Sequence, residues 1–129
     1  MEKILPEIIK QNCFDFWWDN QKVYDLKLPV QEISVEELAW IFDLPFWSND
    51  GVNYCLSARE FMEDPKKYPT HLERIASCDT SYPIDIMQNP KGKWLILDGL
   101  HRLVKVVMAG AKTVKVRRLS RDLIPEIVR

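Results

Sequence analysis

The sequence predicts a mixed α/β fold, a small twisted mixed sheet flanked by helices, and three observations carry that expectation. In "YPIDIMQNPKGKWLILDG" Ile84 and Ile86 alternate with polar residues, "NPKG" turns the chain and "WLIL" returns it, the pattern of a β-hairpin. "LHRLVKVVMAG" then sets Leu100, Leu103, Val104, Val107 and Met108 on one side of a helix that stops at Gly110. "KTVKVRRL" returns to a period of two, with Val114 and Val116 facing in and Lys115 and Arg117 facing out.

The remaining elements follow in order. Residues 1–20 read as an N-terminal arm, with a short helix after Pro6 and then Phe14, Phe16, Trp17 and Trp18, whose large apolar area packs the arm on the core. "KVYDLKLPVQEI" alternates Val23, Tyr24, Leu26 and Leu28 with polar residues before Pro29, predicting a strand that leaves into a turn. Ser34 followed by Glu37 has the spacing of a capping box, so a helix is expected there, with Leu38, Ile41 and Phe42 as its apolar face and a stop before Pro45. "DLPFWSNDGVNYCLS" reads as a loop that turns at Asn49-Asp50-Gly51. Its Phe46 and Trp47 either plug the core or wall a pocket. Ser57 caps a helix that breaks at Pro65 and resumes near Thr70, which puts His71 in a first turn as a surface residue. "RDLIPEIVR" closes as a short helix. With no repeat, low-complexity stretch or linker, residues 1–129 read as one domain whose motif-bearing part spans 83–119.

Composition bounds the function. The chain has 129 residues, 47% apolar and 29% charged, with a net charge of −1, which argues against wholesale coating of a polyanion. The charge is uneven: from Lys91 onward there are ten basic and three acidic residues, and the rest carries a net −8. Either a polyanion meets the basic third, or the two parts pair across the fold. Cys13, Cys55 and Cys78 are odd in number and lack CxxC spacing, so they read as buried free thiols rather than a disulfide framework or zinc site. "MEKILPEIIK" is charged and carries Pro6, unlike a signal peptide, and no apolar run is long enough for a membrane span. A cytoplasmic protein without a membrane partner is the expectation.

The chemistry concentrates at Asp98-Gly99-Leu100-His101-Arg102, where a strand turns into a helix. A helix start carries unpaired N–H groups and partial positive charge, so His and Arg there need a local offset or an anion. Gly99 permits a tight turn and close approach to the backbone, and Arg102 suits phosphate bidentately. Lys105, one turn on, extends the positive rim. The local offset is Asp98, as N-cap of the helix and partner of Arg102.

The stretch "ILDGLHRL…MAGAKTVKVRRL" resembles the ParB/sulfiredoxin-like superfamily, the ParB-like nuclease domains, most sharply over Pro83 to Leu119. Upstream, "VYDLKLPVQEISVEEL" is similar to that family's first strand and following helix. The resemblance implies a ParB/sulfiredoxin-like fold and a nucleotide phosphate site on Asp98, Gly99, Leu100, His101 and Arg102. Sulfiredoxins carry a catalytic cysteine where this chain has Leu100, which argues against that thiolate chemistry. ParB proteins of chromosome partitioning carry a Gly-Glu-Arg-Arg spelling and a further DNA-binding domain, which points away from a CTP-driven clamp. "DGLHR" is closer to the "DGHHR" of ADP-dependent free-serine kinases. By that resemblance ATP or ADP is the nucleotide ahead of CTP, Mg²⁺ the helper, and phosphoryl transfer or nucleotide hydrolysis the reaction, to an unknown small-molecule or protein acceptor lying against Phe46 and Trp47. His101 joins the catalytic candidates, and the family's base, a glutamate near the first strand, falls among Glu32, Glu36 and Glu37. Glu37 is taken by the capping box. Glu32, together with Asp43 in "FDLPFW", is left as candidate base. Asp85 faces solvent if Ile84 and Ile86 face in.

Two other classes compete. A nucleic-acid-binding protein or nuclease would use Lys115, Arg117, Arg118 and Arg121 against phosphates. A non-catalytic interaction module would present "FDFWW" to a partner protein.

Overall fold

The computed structural model describes residues 6–129; the first five residues of the N-terminal arm lie outside them. Two nonlocal pairings bring the C-terminal half to the middle of the sheet. β4 (Ile84–Gln88) and β5 (Trp94–Asp98) form the hairpin, and β6 (Thr113–Leu119) returns from helix α5 (Leu100–Met108) to pair parallel with β4. β1 (Gln31–Ser34) adds antiparallel to β6, so the four strands lie in the order β1-β6-β4-β5. A second, two-stranded sheet joins β2 (Trp47–Asn49) to β3 (Val52–Leu56). The short helices are α1 (Glu7–Asn12), α2 (Asn20–Asp25), α3 (Ala58–Glu63), α4 (Pro69–Ser77) and α6 (Ile124–Ile127). The fold class is mixed α/β, as the patterning predicts.

The hairpin, α5 and β6 fall where the periodicity puts them. Asn89 makes the hairpin turn: its Oδ1 accepts from the backbone of Lys91 and Lys93 at 3.0 and 2.9 Å, and its Nδ2 donates to the Asn12 carbonyl at 3.0 Å, tying arm to hairpin. Leu103, Val104, Val114 and Val116 are buried, but Met108 at the end of α5 is exposed. Ser57 and Glu60 close a reciprocal capping box on α3.

Four expectations are corrected. Residues 22–28 form no strand: Asp19 accepts from the backbone N–H of Gln21 and Lys22 and starts α2, and the first strand is Gln31–Ser34. The helix after Ser34 is two 3-10 turns, Val35–Glu37 and Ala39–Asp43, because the Ser34 hydroxyl accepts from Glu36 N–H, one residue short of a capping box. The supposed loop at Asn49-Asp50-Gly51 is the β2–β3 hairpin, whose two-residue connection has positive φ at Asp50 and Gly51. Cys55 is exposed, and Cys13 and Cys78 are only half-buried, so these free thiols are not core residues.

The aromatic arm does pack on the body. Phe14 meets Trp18 edge-on with centroids 5.3 Å apart, and Trp18 bridges Val128. Asp19 N–H and Arg129 N–H bond Ile127 and Trp17 carbonyls across the chain termini. Trp17 is the member of the cluster left exposed.

β4 is covered on both faces, and α2 covers the outer face of β6 at Arg117, which overturns the reading of Asp85 and Arg117. Ile84, Asp85, Ile86 and Met87 are all buried. Asp85 lies in register with Arg117 of β6, whose Nε–H donates to Asp85 Oδ1 at 2.6 Å. The other arms of the guanidinium donate to the carbonyls of Leu26 and Val23 at 2.7 and 3.0 Å, at the end of α2. Arg117 is therefore covered by α2, which it anchors to the sheet, rather than facing solvent. Arg121, likewise, bonds both oxygens of Asp15. Both pairs join the basic third to the acidic remainder.

Replacing Arg117 by Ala strands a buried carboxylate and two carbonyls, which by analogy with broken buried pairs costs about 3–5 kcal/mol. Urea unfolding of Arg117→Ala against wild type checks this; Asp85→Asn, which keeps an acceptor for Arg117, is expected to cost less.

Candidate functional site

The site is built where β5 runs into α5, and a bulge sets its geometry. β4 and β5 pair regularly at Gln88 with Trp94, Met87 with Leu95 and Ile86 with Ile96, but Asp85 then lies opposite Asp98, with Leu97 the extra residue. The bulge turns Asp98 toward the face of Asp85 and Arg117, so Asp98, Asp85 and Arg117 form a row across three strands. Two carboxylates side by side need two cations. Arg117 serves Asp85, and Arg102 Nη2 donates to Asp98 Oδ2 at 2.8 Å. Tyr24 Oη donates to the same oxygen at 2.8 Å. Burial of the phenol and then the Asp98 charge push the Tyr24 pKa to about 12, so it remains a donor at neutral pH. Burial raises the Asp85 carboxyl above its ordinary range, against the pull of Arg117.

Gly99, not Asp98, holds the N-cap position of α5. Its φ of +115° suits glycine, and a Cβ there would come within 2.8 Å of Arg102 Nη2, 3.1 Å of its Nε and 3.2 Å of Ile84 Cγ1. The guanidinium folds back over the glycine to reach Asp98. No side chain among the described residues caps the helix. The cation at this helix start is thus offset by Asp98 through an ion pair rather than a cap.

The histidine carries no charge. His101 is stacked on Trp47, with centroids 4.4 Å apart and planes 17° apart, and Trp47 also stacks on His71 at 4.6 Å. His101 Nε2 lies 3.1 Å from His71 Nδ1, and His71 Nε2 lies 2.7 Å from the Ser48 carbonyl. Burial, then the charge of Arg74 and the proximity of His71, lower the His101 pKa to about 4. His71, expected at the surface, is 6% exposed: the α4 start is covered by the β2–β3 hairpin. Trp47 is both plug and wall, and this triple stack is the part of the site that sequence reading missed.

A cavity of about 900 Å³ opens in front of this turn. Asp98, Gly99, Leu100, His101 and Arg102 all line it, with Phe46 and Trp47, the arm aromatics, Arg74, and the two half-buried thiols. Tyr54, also in its wall, has a φ of +53°, an uncommon conformation for a bulky residue in a strand. A second cavity of about 530 Å³ lies over the charge row, bounded by Tyr24, Tyr82, Asp85, Arg102 and Arg117, so Arg102 stands between the two.

The candidate bases are not brought here. Glu32 is on β1, at the opposite edge of the sheet from β5, and accepts from the Thr113 hydroxyl at 2.6 Å. Asp43 is exposed and pairs with Arg59. Glu36 and Glu37 are exposed in the 3-10 turn. Lys105 extends no positive rim: its Nζ donates to the Ala76 and Cys78 carbonyls at 2.9 and 3.0 Å, closing the end of α4.

The residues do not fit a protein-held Mg²⁺. Among the described residues no group of three His, Cys, Asp or Glu side chains converges to hold a metal. Of the three carboxylates lining the cavity, Asp98 is taken by Arg102 and Tyr24, Asp15 by Arg121, and Asp79 accepts from the Ser81 N–H.

No family model matches the chain, and no curated protein or solved structure matches it. No helix among the described residues is long and apolar enough to cross a membrane.

Because the folded-state pKa of His101 lies below its ordinary 6.5, protonation favours the unfolded chain. Its contribution is present in full above pH 6.5 and is lost as pH falls toward 4. With the solvent-facing edge screening part of the effect, the loss is about 2 kcal/mol. Urea unfolding between pH 7 and 4 should show a steeper decline for wild type than for His101→Gln. Gly99→Ala is expected to cost roughly 1–3 kcal/mol from the left-handed backbone, a loss that urea unfolding against wild type checks, and its Cβ displaces Arg102 from Asp98.

Proposed function

We propose that the larger cavity binds a nucleotide, with its phosphates at the start of α5 and its base among the aromatic residues. One observation carries the reading: a nine-residue helix, started by glycine and capped by no side chain among the described residues, opens its first turn into a cavity of about 900 Å³. Ligand cavities typically span about 300–1,000 Å³, and the N–H groups of a helix start are a natural phosphate site. Arg74 and Arg102 supply positive charge from two helices. Arg102 is poised rather than free, since a phosphate that engages it competes with Asp98 while Tyr24 continues to hold that carboxylate. Phe14, Phe16, Trp17 and Trp18 offer flat faces for a base. The "DGLHR" resemblance points to the same turn and to phosphoryl transfer or nucleotide hydrolysis, in which positioning and charge neutralisation do most of the catalysis. ATP or ADP is the nucleotide of choice.

The nucleic-acid reading draws less support. Arg117 and Arg121 are engaged in Asp85 and Asp15, and Arg118 lies over the Trp94 ring. The interaction-module reading retains Trp17, the exposed member of an otherwise packed arm.

Thermal unfolding with ATP, ADP, CTP and inorganic phosphate, each with and without Mg²⁺, tests the proposal. A nucleotide at ~100 times its dissociation constant should stabilise wild type by about 2.7 kcal/mol. Arg102→Ala and the surface variant Arg74→Ala should each shrink that shift. A wild-type protein unmoved by every nucleotide overturns the reading.

A further inference from the structure

The His71–His101 pair has a direction that the nucleotide site does not by itself require. The Ser48 carbonyl can only accept, so His71 Nε2, 2.7 Å away, carries the hydrogen. In a neutral His71 the other nitrogen, Nδ1, is then bare, and it accepts from His101 Nε2–H at 3.1 Å. His101 is left with a lone pair on Nδ1. The ring planes are held: His71 and His101 lie within 15° of parallel, and Trp47 stacks on both. The groups around His101 are few. β2 presents Trp47 and, through His71, the Ser48 carbonyl, α4 presents His71 and Arg74, and α5 follows with Arg102. His71 is buried and also meets Phe61 of α3 edge-on at 6.4 Å. No carboxylate among the described residues bonds either imidazole.

We propose that Ser48 and His71 lock His101 in the Nε2–H tautomer so that Nδ1 serves as the proton acceptor of a phosphoryl transfer in the cavity. The inference rests on the nucleotide reading and supplies the base that Glu32 and Asp43, neither of which lines the cavity, do not provide. In the step, an oxygen of water or of a hydroxyl acceptor forms a bond to the terminal phosphorus of the nucleotide. The bond from that phosphorus to the bridging oxygen breaks, its electron pair leaving with the shortened nucleotide. The proton of the attacking O–H passes to His101 Nδ1 and from there to solvent. His71 touches no reactant; it is a positioning residue that acts through the His101 tautomer.

Two measurements on the full chain test this separately from binding. Long-range proton–nitrogen NMR of the imidazoles at neutral pH should report a bare Nδ1 and a protonated Nε2 on both His71 and His101. A protonated His101 Nδ1, or a cationic His71, overturns the proposal whatever binds in the cavity. ATP turnover should then fall at least tenfold in His101→Gln and in His71→Asn while the thermal shift with ATP persists. In His71→Asn, which loses the imidazole acceptor fixed by the Ser48 carbonyl, the same NMR should show His101 no longer held in the Nε2–H tautomer. Turnover unchanged in both variants, or absent from wild type that ATP stabilises, overturns the role of His101. Failure of ATP to stabilise wild type instead overturns the nucleotide reading on which the role rests.

Discussion

The buried guanidinium of Arg117 is the interaction on which the site depends. Its three bonded arms reach Asp85 on the neighbouring strand and two carbonyls at the end of α2. An arginine meets that demand because its donors are fixed in a planar fork and it keeps its charge when desolvated. With α2 held in place, the Tyr24 hydroxyl reaches Asp98, and Asp98 in turn holds Arg102 over Gly99. The orientation of the cation at the head of α5 is thus set by a chain of contacts that starts two strands away. Each link is a charged or polar group satisfied in a partly desolvated setting, where a missing partner costs more than the contact itself contributes.

A helix that begins with histidine and arginine looks electrostatically unfavourable in isolation. The fold resolves the difficulty twice over. Arg102 is neutralised by Asp98, which the β5 bulge turns to the right face. His101 gives up its charge to burial and to its neighbours Arg74 and His71, and gains a stack on Trp47. The helix start therefore needs no anion for stability, yet its first-turn N–H groups face a cavity without a capping side chain. That combination distinguishes a ligand-ready turn from a closed one.

Trp47 links the hydrophobic core to the histidine pair. It is buried in the core, packs edge-on against Phe61, and covers both imidazoles. The β2–β3 hairpin that carries it brings the Ser48 carbonyl to His71, so core packing and proton placement are decided by the same short element. Two-residue turns with positive φ demand residues such as Asp-Gly, which explains how so short a hairpin keeps its register at the tip even though its far end is irregular.

Local patterning alone determined the β4–β5 hairpin, α5, β6, the Ser57 cap and the candidate turn from Asp98 to Arg102, because period, turn residues and caps act within a few positions of one another. The Asp98–Arg102 pair was legible for the same reason, at a spacing of one helical turn. The α2 helix was hidden by an accidental alternation that the Asp19 cap overrides. Asp85 was misjudged because β4, covered on both faces, loses the inside–outside rhythm, and Arg117 because α2 covers the outer face of β6 at that point although the strand keeps its alternation. The β5 bulge and the meeting of His71 with His101 leave no trace in spacing: they arise only when residues 30 positions apart, on helices packed against a common tryptophan, are brought together by the tertiary fold.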